Sequence, residues 1–247
     1  MSRRFVVVHE AKADFHTATE LADRVLIESI EWLDEDGIAH QREWIGDEAE
    51  GKRLTWKSIP QLARDAGIRA RGHFDGRPGE ADAVAARRAI LYLRATFPDL
   101  SAILLIRDQD DQPERREGLE QARNQNHGGT VIVIGLAVVE RESWVISGFE
   151  PQDEHETALV DTERQALGFD PRIRSHELTA CKDDRARRSP KRVLSSLSQN
   201  DRDRERRCWA DTSLDVLRDR GRENGLTTFL HEIRDRLAHL IGHVEGE

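Results

Sequence analysis

Three short apolar segments, each followed by a segment in which apolar residues recur with a helical period, constrain the fold of this chain more than any other feature. The apolar segments lie at 5–8, 102–106 and 130–139. Apolar runs of this length are typical of strands that are buried on both faces, and strands that alternate with helices form parallel sheets. The sequence therefore predicts an α/β fold in which helices cover both faces of a mostly parallel sheet.

The segments between the predicted strands indicate where the helices lie. Apolar residues recur every three or four positions in 14–33, where Asp14 is the candidate N-cap. Further helices are predicted at 59–67, 80–97 and 113–126. The segment 34–58 is acidic and contains glycine, and it predicts a loop or an irregular insertion.

The strand pattern disappears from about residue 170 onward, where the sequence is rich in arginine and predicts helices. A chain of 247 residues is long enough to bury a sizeable core. We therefore predict an α/β core at 1–150 and a helical C-terminal extension at 151–247 that packs on this core.

Carboxylates gather where two of the predicted strands end. Asp108 and Asp110 follow the apolar run 102–106, and Glu10 follows the first run. The carboxyl ends of parallel strands share one edge of a sheet, and residues two apart in extended backbone point the same way. Carboxylates this close repel one another unless a cation offsets their charge, and hard oxygen ligands suit Mg²⁺ or Mn²⁺. The sequence thus predicts a magnesium or manganese site here, and the alternative is a set of turn acids in solvent.

Two motifs resemble the Toprim signature, in which one strand ends in Glu and a later strand ends in Asp-x-Asp. They are "FVVVHEAKAD" and "ILLIRDQD". Three further segments, "VVERESWVISGF", "RRSPKRVL" and "GLTTFLHEI", are similar to a poorly characterised Toprim-like bacterial family related to the nucleases of the overcoming-lysogenization-defect (OLD) type. The chain departs from the usual pattern in one place, because Ala11 stands where Toprim sequences usually carry Gly.

The resemblance implies a Rossmann-like Toprim fold and metal-dependent phosphodiester chemistry. Glu10, Asp108 and Asp110 would occupy the catalytic and metal-binding positions, with Mg²⁺ or Mn²⁺ as the cofactor. Asp14 and Glu142 could ligate a second metal, and Glu142 matches the Glu-x-Trp of the family. The alternative for both residues is an N-cap or an acid in the first turn of a helix.

The residues that other Toprim classes need are absent or misplaced. The only tyrosine, Tyr92, lies on an apolar helix face, which indicates core packing rather than the nucleophile of a topoisomerase. The only cysteines, Cys181 and Cys208, are too few for the zinc-binding module of a primase and predict free thiols in a reducing compartment. A hydrolytic nuclease is the class that needs neither.

The net charge of −9 excludes a polycation that wraps nucleic acid, so a nucleic-acid partner would need a local basic patch. The segment 185–192 is such a patch, with five cations and no acid: Arg185, Arg187, Arg188, Lys191 and Arg192. These residues could contact phosphates. The alternative is a solvated loop that leads into a helix starting at Ser189 and Pro190.

The function we expect is that of a stand-alone Toprim-like nuclease that cleaves DNA or RNA. By resemblance, such a protein acts in bacterial anti-phage defence beside an ABC-type or SMC-like ATPase. This chain has no G-x-x-x-x-G-K-[ST] motif of its own, so any regulation by nucleotide would come from that partner. Two alternatives are a non-catalytic Toprim module that binds nucleic acid or the ATPase, and a metal-dependent phosphatase or nucleotide-processing enzyme. The N-terminal segment "MSRRFVVVHE" contains too few consecutive apolar residues for a signal peptide or a membrane span. A cytoplasmic location is therefore expected.

Overall fold

Four of the strands form the parallel sheet that the apolar runs predict. The structure, a computed structural model, describes residues 2–47, 53–180 and 183–242. In chain order its strands are β1 (Arg3–Val8), β2 (Arg42–Ile45), β3 (His73–Phe74), β4 (Arg77–Pro78), β5 (Leu100–Asp108) and β6 (Val131–Ala137). The sheet has the order β2-β1-β5-β6, and β1 runs parallel to both β2 and β5. The predicted Rossmann-like α/β class is therefore confirmed.

The helices lie between and after these strands. They are α1 (Lys12–Ser29), α2 (Glu35–Gln41), α3 (Ile59–Asp65), α4 (Ala83–Thr96), α5 (Arg115–Asn124), α6 (Arg141–Ser147), α7 (Glu154–Leu167), α8 (Pro190–Ser198), α9 (Arg202–Ala210), α10 (Leu214–Arg220) and α11 (Leu226–Ile241). In the described ranges, no helix has the length and apolar character needed to cross a membrane.

The described residues group into two compact units. The first unit takes in residues up to 107, 112–136 and those from 231 onward, and the second takes in 108–111 and 137–230. The first unit carries the sheet and the helices α1 to α5. The second unit carries α6 to α10.

The strands of the first unit are buried on both faces of the sheet. Phe5–Val8 and Ala102–Leu105 are all fully buried, although consecutive residues of a strand point to opposite faces. Tyr92 is also buried and belongs to the same core as Val8 and Leu105, which confirms its expected packing role. Burial on both faces explains why these strands read as continuous apolar runs rather than as alternating patterns.

The start of α1 differs from the sequence prediction. Asp14 is not the N-cap, because the helix begins two residues earlier, after Ala11 in extended backbone. The Asp14 carboxylate instead accepts hydrogen bonds from the backbone N–H groups of Glu10 (3.1 Å) and Ala11 (2.7 Å). An acid at the third helical position that reaches back in this way makes one half of a capping box, because it pairs the backbone N–H of the N-cap residue.

The segment 34–58 is more regular than predicted. It contains α2, which the Asp34 side chain caps by accepting a hydrogen bond from Gly37 N–H at 2.7 Å, and the edge strand β2. Only Ile45 of the four β2 residues is buried, and two of the others are charged. A strand this short, with one hydrogen-bonded neighbour, leaves almost no periodic signal in the sequence.

Residues 170–230 contain helices and connecting segments but no strand in the part that the structure describes, as the sequence predicts. Ser189 and Pro190 begin α8, where the Ser189 hydroxyl accepts from Arg192 N–H at 3.4 Å. The predicted helix start is therefore confirmed.

A buried asparagine connects four segments of the second unit. Asn224 is fully buried, and its Nδ2 lies 3.0 Å from Ser143 O, 2.7 Å from Ser147 Oγ and 2.9 Å from Ser175 Oγ. Its side-chain carbonyl oxygen accepts from Leu226 N–H at 3.0 Å, and its backbone carbonyl oxygen accepts from the Trp144 indole and from Val138 N–H, both at 2.8 Å. Buried polar groups are costly unless they are paired, so this residue must stay in place for its partners to remain buried.

We predict that Asn224→Ala lowers the free energy of unfolding by about 2–4 kcal/mol, because it removes the buried side-chain amide that bonds Ser143 O, Ser147 Oγ and Ser175 Oγ. Chemical denaturation followed by circular dichroism measures the change. Asn124→Ala, at an exposed position at the end of α5, is the matched control and should change stability by less than about 0.5 kcal/mol. Equal effects of the two substitutions would contradict a central role for Asn224.

Candidate functional site

Glu10, just beyond β1, lies next to a cation that the sequence reasoning missed. The guanidinium of Arg107 is 3.3 Å from the Glu10 carboxylate. Arg107 is also 2.9 Å from Asp82, which in turn lies 2.7 Å from Arg115, and Arg115 is nearly fully buried. In the first unit, two acids and two arginines thus alternate in an ionic cluster. The chain's own cation offsets the charge of Glu10.

The indole of Trp56 helps to hold this cluster at the end of β5. Trp56 is buried, and its Nε1–H donates to Ile106 O at 2.7 Å. The guanidinium of Arg107 lies 5.1 Å from the centre of the Trp56 ring, within the range of a cation–π contact. Trp56 belongs to the segment that was predicted as an irregular insertion, so this support was invisible in the sequence pattern.

Asp14 and His9 lie in the same unit, and both side chains make hydrogen bonds with backbone groups. Asp14 is buried and its Oδ2 accepts from the two backbone amides at the start of α1. His9 is fully buried, with Nδ1 2.8 Å from Ala11 O and Nε2 3.1 Å from Gly46 O. These contacts fit the alternative reading of Asp14 as an acid of the first helical turn. A role for Asp14 as a ligand to a second metal stays a prediction.

Asp108 and Asp110 belong to the second unit and differ in backbone conformation. Asp108 is the last residue of β5, and its Oδ1 accepts from Arg141 N–H, at the start of α6, at 2.8 Å. Asp110 has a positive φ of 50°, in the left-handed region. The expectation that both side chains point the same way assumed extended backbone through Asp110. That assumption is wrong, because the chain turns after Asp108.

The segment after β6 brings further acids close to Asp110. Val139 has a φ of 74°, a strained conformation for a β-branched residue, and Glu140 follows it. Glu140 is buried, and its carboxylate lies 3.3 Å from Lys191 Nζ. Burial raises the pKa of Glu140 above its ordinary value, Lys191 partly offsets this effect, and Glu142 and Asp110 add to it. The second unit thus places Glu142 and Asp110 within electrostatic reach of Glu140.

Glu142, a candidate ligand, is partly buried in the first turn of α6. Its carboxylate lies 3.1 Å from the guanidinium of its neighbour Arg141. The sequence reasoning selected Glu142 but missed Glu140, two residues earlier and directly after the β6 apolar run. Glu140 follows an apolar run, as Glu10 and Asp108 do. That shared position is the signal that could have identified Glu140.

The predicted basic stretch divides into two groups in the structure. Arg192 makes a two-pronged contact with Glu163 at 2.8 and 2.6 Å, and Lys191 contacts Glu140, so both are engaged within the unit. Lys191 is nevertheless exposed, and so are the three remaining arginines: Arg185, Arg187 and Arg188. The Arg188 guanidinium lies 5.7 Å from the centre of the Phe169 ring, and a phosphate chain could reach the three arginines from solvent.

A groove of about 400 Å³ joins the acids and the cations of the second unit. The acids Glu142 and Glu205 line it, and so do three cations: Arg141, Arg185 and Lys191. Burial raises the pKa of Glu205, Arg141 opposes this shift, and Glu142 reinforces it. The groove therefore combines acidic groups with cations that suit an anionic ligand.

Comparisons with protein families, curated proteins and solved structures found no match to this chain. The described residues contain no group of three or more His, Cys, Asp or Glu side chains arranged to hold a metal ion. Glu10 and Asp14 belong to the first unit, whereas Asp108, Asp110 and Glu142 belong to the second. A shared metal site for Glu10, Asp108 and Asp110 stays a prediction.

We predict that Asp82→Asn lowers the free energy of unfolding by about 2 kcal/mol, because it removes the carboxylate between Arg107 and the buried Arg115. Asp82 has a φ of 65°, a conformation that Asn tolerates as well as Asp, so the backbone is not the cause. Asp75→Asn is the matched control, since Asp75 has a φ of 50° but is exposed. If both variants unfold at the same denaturant concentration, the ionic cluster does not stabilise the unit.

Proposed function

We propose that this protein is a metal-dependent nuclease that cleaves phosphodiester bonds in DNA or RNA. The observation that carries the proposal is the composition of the second unit. Asp108, Asp110, Glu140 and Glu142 lie at and after two strand ends, and Arg185 and Lys191 line a groove together with Glu142. Carboxylates for catalysis beside cations for phosphate are the combination that hydrolysis of a polyanion requires.

The donor set fits a divalent cation in its chemistry. Glu10, Asp108 and Asp110 offer carboxylate oxygens, which are the ligands that Mg²⁺ and Mn²⁺ prefer. A bound divalent ion would activate water and stabilise the leaving oxygen. The proposal assigns the cation to these three carboxylates, as the Toprim resemblance implies.

The chain's own residues have separate tasks in this proposal. The Arg141 N–H holds the Asp108 carboxylate by a hydrogen bond, which restricts its rotamer. Arg107 holds Glu10 in the same manner from within the first unit. Arg185, Arg187 and Arg188 bind the phosphate backbone without reading sequence, since guanidinium groups recognise phosphate oxygens in any sequence.

A second candidate function is a Toprim-like module that binds nucleic acid without cleaving it. The observation that favours it is the pairing of the acids within the chain: Glu10 with Arg107, Glu140 with Lys191, and Glu142 with Arg141. Ion pairs of this kind are also what structural carboxylates make. Binding without cleavage in the presence of Mg²⁺ and Mn²⁺ would identify this second function.

A role in anti-phage defence, together with an ABC-type or SMC-like ATPase, is part of the proposal and rests on the Toprim resemblance alone. The chain has no phosphate-binding loop of the G-x-x-x-x-G-K-[ST] type. Regulation driven by ATP hydrolysis would therefore come from the partner. Co-purification of this protein with the product of a neighbouring ATPase gene tests the association directly.

We predict that Asp108→Asn lowers metal-dependent cleavage by about 10²-fold or more, because it removes a charged ligand at the proposed metal. Asn keeps an oxygen that can accept from Arg141 N–H, so α6 keeps its first hydrogen bond. Cleavage of plasmid and single-stranded substrates with Mg²⁺ and Mn²⁺ measures activity. Electron paramagnetic resonance measures Mn²⁺ binding, which should weaken in Asp108→Asn and in Glu10→Gln.

Asp99→Asn is the matched control for Asp108→Asn. Asp99 is exposed and lies just before β5, at the opposite end of the same strand. This variant should bind Mn²⁺ and cleave as the wild type does. Full cleavage by Asp108→Asn would reject the proposed role of Asp108, whereas loss of activity in both variants would point to a general defect.

We predict that the double substitution Arg187→Ala and Arg188→Ala weakens nucleic-acid binding equally for all sequences. If both residues contact phosphate, the slope of log K against log salt becomes shallower by about two units, because fewer counterions are released. Binding titrations at several salt concentrations measure the slope. The control is Arg202→Ala with Arg222→Ala, two exposed arginines of the same unit that lie outside the basic stretch. An unchanged slope would assign the basic stretch to another partner.

A further inference from the structure

A pocket in the first unit has a strongly cationic lining. It has a volume of about 420 Å³ and lies among the segment 69–73, α4 and the C-terminal end of α5. Its lining includes four arginines and one histidine: Arg69, Arg71, Arg87, Arg94 and His73. No Asp or Glu belongs to its described lining. A volume of this size lies within the range of small-molecule sites.

Two of the arginines shape the pocket. The guanidinium of Arg87 donates to Arg71 O at 2.6 Å and to His73 O at 2.8 Å, and it lies 3.6 Å from the centre of the Phe74 ring. Arg94 donates to the Asn126 side chain at 2.9 Å. These contacts connect α4 to the segment 71–74 on one side and to the end of α5 on the other. The pocket is therefore held open by hydrogen bonds within the unit.

One acid beside the pocket, Asp75, accepts from Gln125 at 3.0 Å and offsets part of the positive charge of the four arginines. Burial lowers the pKa of Arg87, Asp75 opposes this effect, and the charge of Arg71 lowers the pKa further. Arg69 and Arg71 are exposed, and in the described ranges neither forms an ion pair with a carboxylate. Two guanidinium groups free to turn toward a ligand, near a third whose ionisation is already disfavoured, create a site that an anion would stabilise.

The pocket also offers an apolar surface and two amides. Ile90 and Ala122 are buried, but Leu91 is 38% exposed and is one of few large apolar residues so exposed among the described ones. Gln125 and Asn126 line the same pocket. A ligand that satisfies the whole lining must combine a multiply charged anion with an apolar, hydrogen-bonding part. Gln125 Nε2 donates to Asp75 at 3.0 Å and Asn126 Nδ2 to Thr130 O at 3.0 Å, so the amides are already paired within the unit. Inorganic phosphate alone would leave the apolar surface of Leu91 uncovered.

We propose that this pocket binds a nucleotide with two or more phosphates. Arg69 and Arg71 contact the phosphates, the base lies on Leu91, and the side-chain carbonyl oxygen of Gln125 accepts a hydrogen bond at the base or sugar. The site lies within the first unit and shares no residue with the proposed nuclease site. The test of this proposal is therefore independent of the test of the nuclease proposal.

The test is isothermal titration calorimetry of the full chain with ADP, pyrophosphate and adenosine, in the presence of EDTA. The chelator removes divalent ions, so that nucleotide cannot bind through a metal held by the acidic residues. ADP should bind in a saturable manner, pyrophosphate more weakly, and adenosine not measurably. Absence of saturable ADP binding would overturn the proposal.

The variant Arg69→Ala with Arg71→Ala should weaken ADP binding by about tenfold or more, because it removes charge-assisted contacts to phosphate. Lysine at both positions keeps the charge and should restore part of the affinity. The matched control is Arg64→Ala with Arg77→Ala, which removes two exposed arginines of the same unit outside the pocket. An equal loss in the control would show that net charge, and not the pocket, attracts ADP, and would overturn the proposal.

Leu91→Ser separates the apolar contact from the phosphate contact. It should weaken ADP binding while leaving pyrophosphate binding unchanged. The last titration uses a single-stranded oligonucleotide, because its backbone also presents phosphate groups. If only the oligonucleotide binds, and its binding depends on Arg69 and Arg71, the pocket belongs to a nucleic-acid surface and the nucleotide proposal is rejected.

Discussion

The parallel pairing of β1 with β5 is the constraint on which the first unit depends. Both strands are buried on both faces, so their backbone N–H and C=O groups have no access to water and must pair with neighbouring strands. Their register places Val8 beside Leu105. Glu10 and Arg107 therefore emerge at the same edge of the sheet, where Trp56 and Asp82 hold Arg107 in place.

Charge compensation by the chain itself is the theme that the two units share. In the first unit Arg107 offsets Glu10, and in the second Lys191 offsets Glu140 while a backbone amide of α6 binds Asp108. These partners offset part of the repulsion among the acids that crowd at the strand ends. Burial still raises the pKa of Glu140 despite Lys191, so a positive ligand near it would relieve a cost that the protein alone does not remove.

The sequence predicted correctly those elements whose formation is dominated by the burial of apolar residues. Continuous apolar runs predicted β1, β5 and β6, because the parts of these strands that are buried on both faces contain no polar residue. The same reasoning selected Asp108, the last residue of β5, as the acid at a strand end. It failed for β2, since a four-residue edge strand carries no period, and for Asp14, where a helix begins at an alanine and recruits an acid from its third position.

The sequence by itself determined the α/β class, the helical nature of residues 170–230 and the acids that follow the strands, because these follow from local periodicity and chain order. Only the tertiary structure decided which cations meet those acids. Arg107 is adjacent to Asp108 in sequence but contacts Glu10, and Lys191 meets Glu140 from 51 positions away. Tertiary structure also gathered the arginines of the first-unit pocket from two separate segments. Side-chain partners of this kind depend on distances in space, which periodicity along the chain does not encode.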